Sequence, residues 1–174
     1  MAKDELEIPK EEENFFRLCK LVYSEIPNKL RQCFRTKWNL MYPNQTWDDS
    51  KSSGSAFWRK SSPGAQSDPR RRKDIVDRIK AGCSSKWDLT VLFDVLLNLI
   101  PKFVSKGERK QIEVLREVRN TQCSHREDSK LSTTEMVDVF KKVKEVYREM
   151  KWDAIDVEKI EGNTLVTEDR SWKK

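Results

Sequence analysis

Residues 132–151, STTEMVDVFKKVKEVYREMK, read as one long amphipathic helix, and the rest of the chain is built outward from them. Ser132-Thr133-Thr134-Glu135 is a capping box, in which a hydroxyl and a carboxylate satisfy N–H groups that a first helical turn leaves unbonded. Met136, Val139, Phe140, Val143, Val146, Tyr147 and Met150 then fall on a single stripe at the three- and four-residue spacing of a helix face. Immediately upstream, Gly107 to Thr121 places Ile112, Leu115 and Val118 on one apolar side, with Arg119 on the same side in the last turn.

Further out the same period recurs. Trp87 to Ile100 is nearly all apolar apart from a polar strip of Thr90, Asp94 and Asn98 four residues apart, and Pro101 ends it. This helix is expected in the middle of the fold, its strip either lining a groove or bonding to neighbouring helices. Asp68-Pro69 reads as a helix opening, Ile75, Val76 and Ile79 as its apolar face, and Gly82 as its stop. That opening puts Arg70, Arg71, Arg72 and Lys73 in a first turn, where positive charge opposes the helix dipole unless an anion arrives. They are candidate nucleic-acid contacts; the alternatives are a solvated charge run or an import patch.

Phe15, Leu18, Cys19, Val22 and Ile26 define a first helix from Glu11 that Pro27 is expected to end, and Leu30, Phe34, Trp38 and Met41 a second that closes at Pro43. Between Asn44 and Asp68 the composition is Ser, Gly, Asp and Pro without a sustained period, so a long irregular loop is expected, partly ordered by Trp47, Phe57 and Trp58. No segment calls for a strand and no internal repeat is present. The reading is therefore an all-α domain over residues 11–152, with a charged tail at 1–10 and an irregular tail at 153–174.

The 174 residues suit one domain, and 37% of them are charged with a net charge of +6, which favours an anionic partner. Cys19, Cys33, Cys83 and Cys123 are too scattered for a zinc site, so buried free thiols and no metal or cofactor are expected. Met1 to Asn14 has no apolar run, so no secretory signal is expected. Lys3-Asp4-Glu5-Leu6 is a retention signal at the wrong end, and the Asn44 sequon would not meet the glycosylation machinery. No segment is long and apolar enough for a membrane span, and the expected location is the cytoplasm, with the nucleus as the second compartment.

His125 is the single histidine, and it follows Arg119 and Asn120 in the turn between the two clearest helices. Metal-free RNA cleavage needs a base for the 2′-hydroxyl, an acid for the leaving 5′-oxygen and cations for the charge that builds on phosphorus. Histidine can move those protons near neutral pH, and arginine can hold phosphate through its planar fork. On this reading Arg119 stabilises charge, His125 carries protons and Asn120 orients. The plain alternative is an arginine favoured by a helix C-terminus and a histidine in a polar turn.

Arg119-Asn120 followed by four residues and His125, between two long helices, resembles the hallmark of the HEPN superfamily (higher eukaryotes and prokaryotes nucleotide-binding). The surrounding blocks are similar to the animal branch represented by the HEPN domain of a DAZ-interacting zinc-finger ubiquitin ligase and of many immune-type proteins. They are Phe16-Arg17-Leu18-Cys19, Lys29-Leu30-Arg31, Tyr42 to Asp49 with Ser53-Gly54, and Trp87 to Phe93. The likeness covers about Asn14 to Met150. It implies an antiparallel helical bundle and a homodimer whose motif helices bring two Arg/His sets into one cleft, with RNA as the partner. Carried over, Arg119 and His125 would be the catalytic pair of a metal-independent endoribonuclease and Asn120 the motif's polar residue. Thr121 and Cys123 depart from the acidic and aromatic residues that animal members often carry there, which would leave His125 without an acidic partner. Arg70 to Lys73 and the Trp47 to Arg59 stretch would add phosphate and stacking contacts. The competing expectations are a non-catalytic interaction or dimerisation domain in a signalling or ubiquitination assembly, and a nucleotide-binding helical module.

Overall fold

The computed structural model describes residues 8–123 and 128–162, which are largely helical and contain no strand. Helix α1 (Lys10–Lys20) opens with Glu11, Glu12 and Glu13 in its first turn, which complement the helix dipole. It does not end ahead of Pro27. The chain passes through a π turn (Leu21–Glu25), in which the Ile26 N–H reaches back to the Leu21 carbonyl, directly into α2 (Ile26–Met41). The wider turn carries the backbone past the ring that would otherwise meet the preceding carbonyl, and proline falls in the first turn of α2, where it removes one donor from the ladder that runs in from the π turn. The extra residue also shifts the buried face, so that Leu21 and Val22 are both fully buried.

The expected loop after α2 holds two helices instead. Ser50 caps α3 (Lys51–Lys60) by accepting from the Ser53 N–H, and Ser62 caps the short α4 (Pro63–Gln66) from the Ala65 N–H. Serine and glycine are weak helix formers, so α3 depends on tertiary contact: Ala56 and Phe57 are buried, and α3 packs closely on α5 (Lys73–Ala81). Two glycines permit that approach. A Cβ at Gly54 would collide with the carbonyls of Ile79 and Lys80, and one at Gly82 with the Ser50 carbonyl. Gly82 also has φ +76°, the left-handed stop expected of it.

Helix α5 starts four residues later than the Asp68-Pro69 reading placed it. The Asp68 carboxylate caps a turn by accepting from the Arg70 N–H at 2.9 Å, and Arg72 is extended, so Arg70 to Arg72 precede the helix and Lys73 opens it. Helix α6 (Leu89–Leu97), capped by Asp88, is the most deeply embedded element, with Leu89, Val91, Leu92, Phe93, Val95, Leu96 and Leu97 all buried.

Helix α7 (Lys106–Gln122) carries the full reciprocal capping box, between Ser105 and Glu108. In α8 (Thr133–Met150) the expected Ser132 cap on the Glu135 N–H is present, and Met136, Val139, Phe140, Val143, Val146 and Tyr147 are buried. Helices α7 and α8 pack on each other, α1 on α8, and α6 on α2, α5 and α7. Fully buried Asn14 ties α1 to the approach of α8, donating to the Leu131 carbonyl at 3.0 Å and to Thr133 Oγ1 at 3.2 Å. Where an irregular tail was expected after Trp152, Ile155–Gly162 forms α9, with Val157 buried against the earlier helices. Among the described residues no helix is long and apolar enough to cross a membrane.

Gly54→Ala and Gly82→Ala should each lower unfolding free energy by more than about 1 kcal/mol, through backbone collision at both and strain at the second. Gly64, whose Cβ would meet nothing, supplies the contrast. Gly64→Ala should hold or gain about 0.4–1 kcal/mol in the same chemical denaturation series.

Candidate functional site

The polar strip of α6 forms the floor of a groove of about 840 Å³. One wall is the segment from Ala65 to Arg72 and the other is α7, which contributes Arg116 and Arg119. Two sets of basic residues that the sequence reading treated separately, Arg70 to Arg72 and Arg119, thus share one concavity with Thr90, Asp94 and Asn98. Exposed Lys73 is not among its lining residues.

Arg119 is held from three sides. Its guanidinium lies over the Phe93 ring at 5.2 Å, Nη1 donates to Thr90 Oγ1 at 3.1 Å, and Nε donates to Asn120 Oδ1 at 3.0 Å. Partial burial lowers its pKa from the ordinary arginine value while nearby Asp88 raises it, and an arginine remains protonated at any physiological pH. Asn120 is exposed and acts here as an acceptor that orients Arg119. Arg116, one turn earlier, makes a long contact to Glu113 at 3.9 Å. His125 lies outside the described residues.

The other wall is differently bonded. Arg70 forks onto Asp68 through Nε at 3.1 Å and Nη2 at 3.0 Å, and Arg72 meets Asp74 at 3.1 Å, all four side chains reaching solvent. Arg71 instead turns inward onto Asp94. Hydrogen bonds from the Arg70 side chain and backbone hold the Asp68 carboxyl down at about 2.

The aromatic residues proposed for base stacking are elsewhere. Trp47 and Phe57 are buried in the core, so neither presents a face to a ligand. Trp58 is half-buried, with the Lys80 ammonium 5.4 Å from its ring centre. Cys33 is buried as expected, whereas Cys19, Cys83 and Cys123 are only half-buried. Burial pushes the Cys19 and Cys33 thiols up to about 11, well away from nucleophilic use. Among the described residues no group of three or more His, Cys, Asp or Glu side chains could hold a metal ion.

Arg116 escaped the sequence reading, although its position one turn from Arg119 was a usable signal. Asp94 was visible as part of the polar strip, but its partner, 23 residues away, was not. Compared with family models, curated proteins and solved structures, the chain has no match in any of the three.

Arg70→Ala should move the Asp68 titration upward from about 2 toward the ordinary value near 3.9, because its strongest hydrogen-bond donor is gone. Carboxyl-carbon NMR titration reads this directly. An unmoved Asp68 would mean that the two side chains do not meet in solution.

Proposed function

We propose that this chain is a HEPN-type domain that engages RNA through the groove between α7 and the segment preceding α5. The observation that carries the reading is the convergence of Arg116 and Arg119 with Arg70 and Arg72, from two distant parts of the sequence, on one concave surface. Guanidinium groups on facing walls suit a phosphodiester backbone, because each can offer a planar pair of donors to a phosphate. Phe93 and Thr90 fix the direction of Arg119, which lowers the entropy lost when it grips an anion.

Cleavage is the chemistry this arrangement would support. The 2′-oxygen attacks phosphorus and the 5′-oxygen leaves; His125 takes and returns the protons while Arg119 offsets charge on the non-bridging oxygens. In a homodimer paired through the motif helices, each protomer would supply one such set. A second reading, a non-catalytic interaction domain, draws support from the carboxylate partners that Arg70, Arg71 and Arg72 already have in the free protein.

Labelled single-stranded RNA incubated in EDTA separates the two. Wild-type protein should bind it with an affinity that falls steeply between roughly 50 and 200 mM salt, and Arg116→Ala and Arg119→Ala should each weaken binding and reduce the log–log salt slope by about one. His125→Ala should abolish cleavage and leave binding intact. Cleavage that persists in both Arg119→Ala and His125→Ala takes the motif out of the mechanism. Absence of RNA binding by a protein that sediments as a dimer leaves the interaction domain as the reading.

A further inference from the structure

The best-formed ion pair in the groove is not directed at a ligand. Arg71 Nε donates to Asp94 Oδ2 at 2.7 Å and Nη2 donates to Asp94 Oδ1 at 3.0 Å, while Nη1 donates to the Ala65 carbonyl. Asn98 Nδ2 adds a bond to Asp94 Oδ1 at 2.9 Å. The Arg71 and Asp94 side chains are 8% and 14% exposed, so the guanidinium fork is occupied and largely dry. An incoming phosphate would have to displace a mostly covered carboxylate, leaving it with the Asn98 amide in place of its charged partner, which is unfavourable.

The backbone around Arg71 explains what the pair does instead. Pro69 to Arg72 is a turn followed by an extended residue, held locally by the Arg70 N–H on the Asp68 carboxylate at 2.9 Å and by two longer bonds, Asp68 N–H to the Ala65 carbonyl at 3.4 Å and Arg71 N–H to the Asp68 carbonyl at 3.2 Å. No helical ladder secures this stretch. The Arg71 side chain ties the turn to the rest of the fold, clamping it at one end to Ala65 and at the other to the middle of α6. Arg70 and Arg72, on either side of the clamp, are thereby set opposite Arg116 and Arg119.

We propose that Arg71 and Asp94 are positioning residues: their buried bidentate pair spaces the two arginine walls of the groove, and Arg70 and Arg72, not Arg71, make the phosphate contacts on that side. This rests on the RNA reading above, and it inverts a simple electrostatic expectation. Removing the Asp94 charge from the floor of an anion-binding groove should tighten binding if charge alone mattered. With Asp94 as anchor, its removal loosens the wall and weakens binding.

The test uses Asp94→Asn and Arg71→Lys in the full chain, each checked by circular dichroism. RNA affinity is followed over a salt series by anisotropy, and amide hydrogen exchange over residues 65–75 is followed without RNA. Lysine keeps the charge and loses the fork, so a direct phosphate ligand at this position would retain most of its binding. The expected result is weaker RNA binding in both variants, a salt slope reduced by about two as Arg70 and Arg72 drop out, and faster exchange in the 65–75 segment. Tighter RNA binding by Asp94→Asn, or an unchanged slope in Arg71→Lys, overturns the proposal. So does unchanged exchange in the segment, whatever the RNA data show. Faster exchange in both variants of a protein that binds no RNA keeps the clamp and rejects the RNA reading. If one variant loses its helical signal, the other still decides the sign.

Discussion

Phe34 meets the edges of Trp47, Trp87 and Phe57, with ring centres 4.7, 5.0 and 5.6 Å away, and the rest of the architecture follows from that meeting. Edge-to-face aromatic contacts contribute about 0.5–1.5 kcal/mol each beyond the area they bury, and they fix direction as well as distance. Every indole in the cluster also has its N–H satisfied: Trp38 on the Gln45 carbonyl, Trp47 on Asp49 and Trp87 on the Arg78 carbonyl. A segment poor in helix formers is thereby pulled onto α2. Once α3 is seated there, the glycine contact sets α5, and α5 sets where the arginine-bearing turn enters the groove. The groove is a long-range consequence of core packing.

Asp49 joins the apolar and polar parts of this chain of causes. Its φ of +60° is a conformation that asparagine and aspartate tolerate better than most residues. The carboxylate accepts from the Trp47 indole at 2.7 Å and from the Ser84 hydroxyl and N–H, and lies 3.5 Å from Arg35. Burial alone would raise its pKa, but these donors outweigh it and hold the group below the ordinary carboxylate range. Three separate stretches, Arg35 on α2, the turn before α3 and the bend before α6, are stitched at one side chain. An isolated reading of Asp48-Asp49-Ser50 suggests only a polar turn.

What periodicity could carry was legible. Helices α6, α7 and α8, the Ser132 cap, the left-handed stop at Gly82 and the polar strip on α6 all depend on neighbours within a few residues, and the sequence exposes such relations. The departures share a different cause. Helix α3 has weak local propensity and exists because Phe57 is buried. Pro27 reads as a break until a π turn upstream makes room for it. Asp68 caps a single turn rather than a helix because Arg71 is drawn toward α6. Helix α9 is short and weakly amphipathic, and the signal it offers is Val157. Apart from Pro27, where the adjustment is in the backbone just upstream, tertiary contact overrode a local preference, and the partner lay too far along the chain for spacing to show it.

The same distinction sorts the arginines of the groove. Arg70, Arg71 and Arg72 are consecutive and chemically identical, and the sequence gives no reason to separate them. Burial does. Arg70 and Arg72 are 88% and 67% exposed, and ion pairs in that setting are weak because water screens them, so exchanging a carboxylate for a phosphate costs little. Arg71, at 8%, sits where breaking a pair strands a charge away from water. Under the proposed RNA reading, a groove that takes an anion and also holds its own shape benefits from both kinds. On that reading the exposed pairs offset the like charges of the walls, and the covered Arg71–Asp94 pair sets their spacing. Three adjacent codons for one residue type thus encode two opposite electrostatic roles, separated by which way the backbone turns at Asp68.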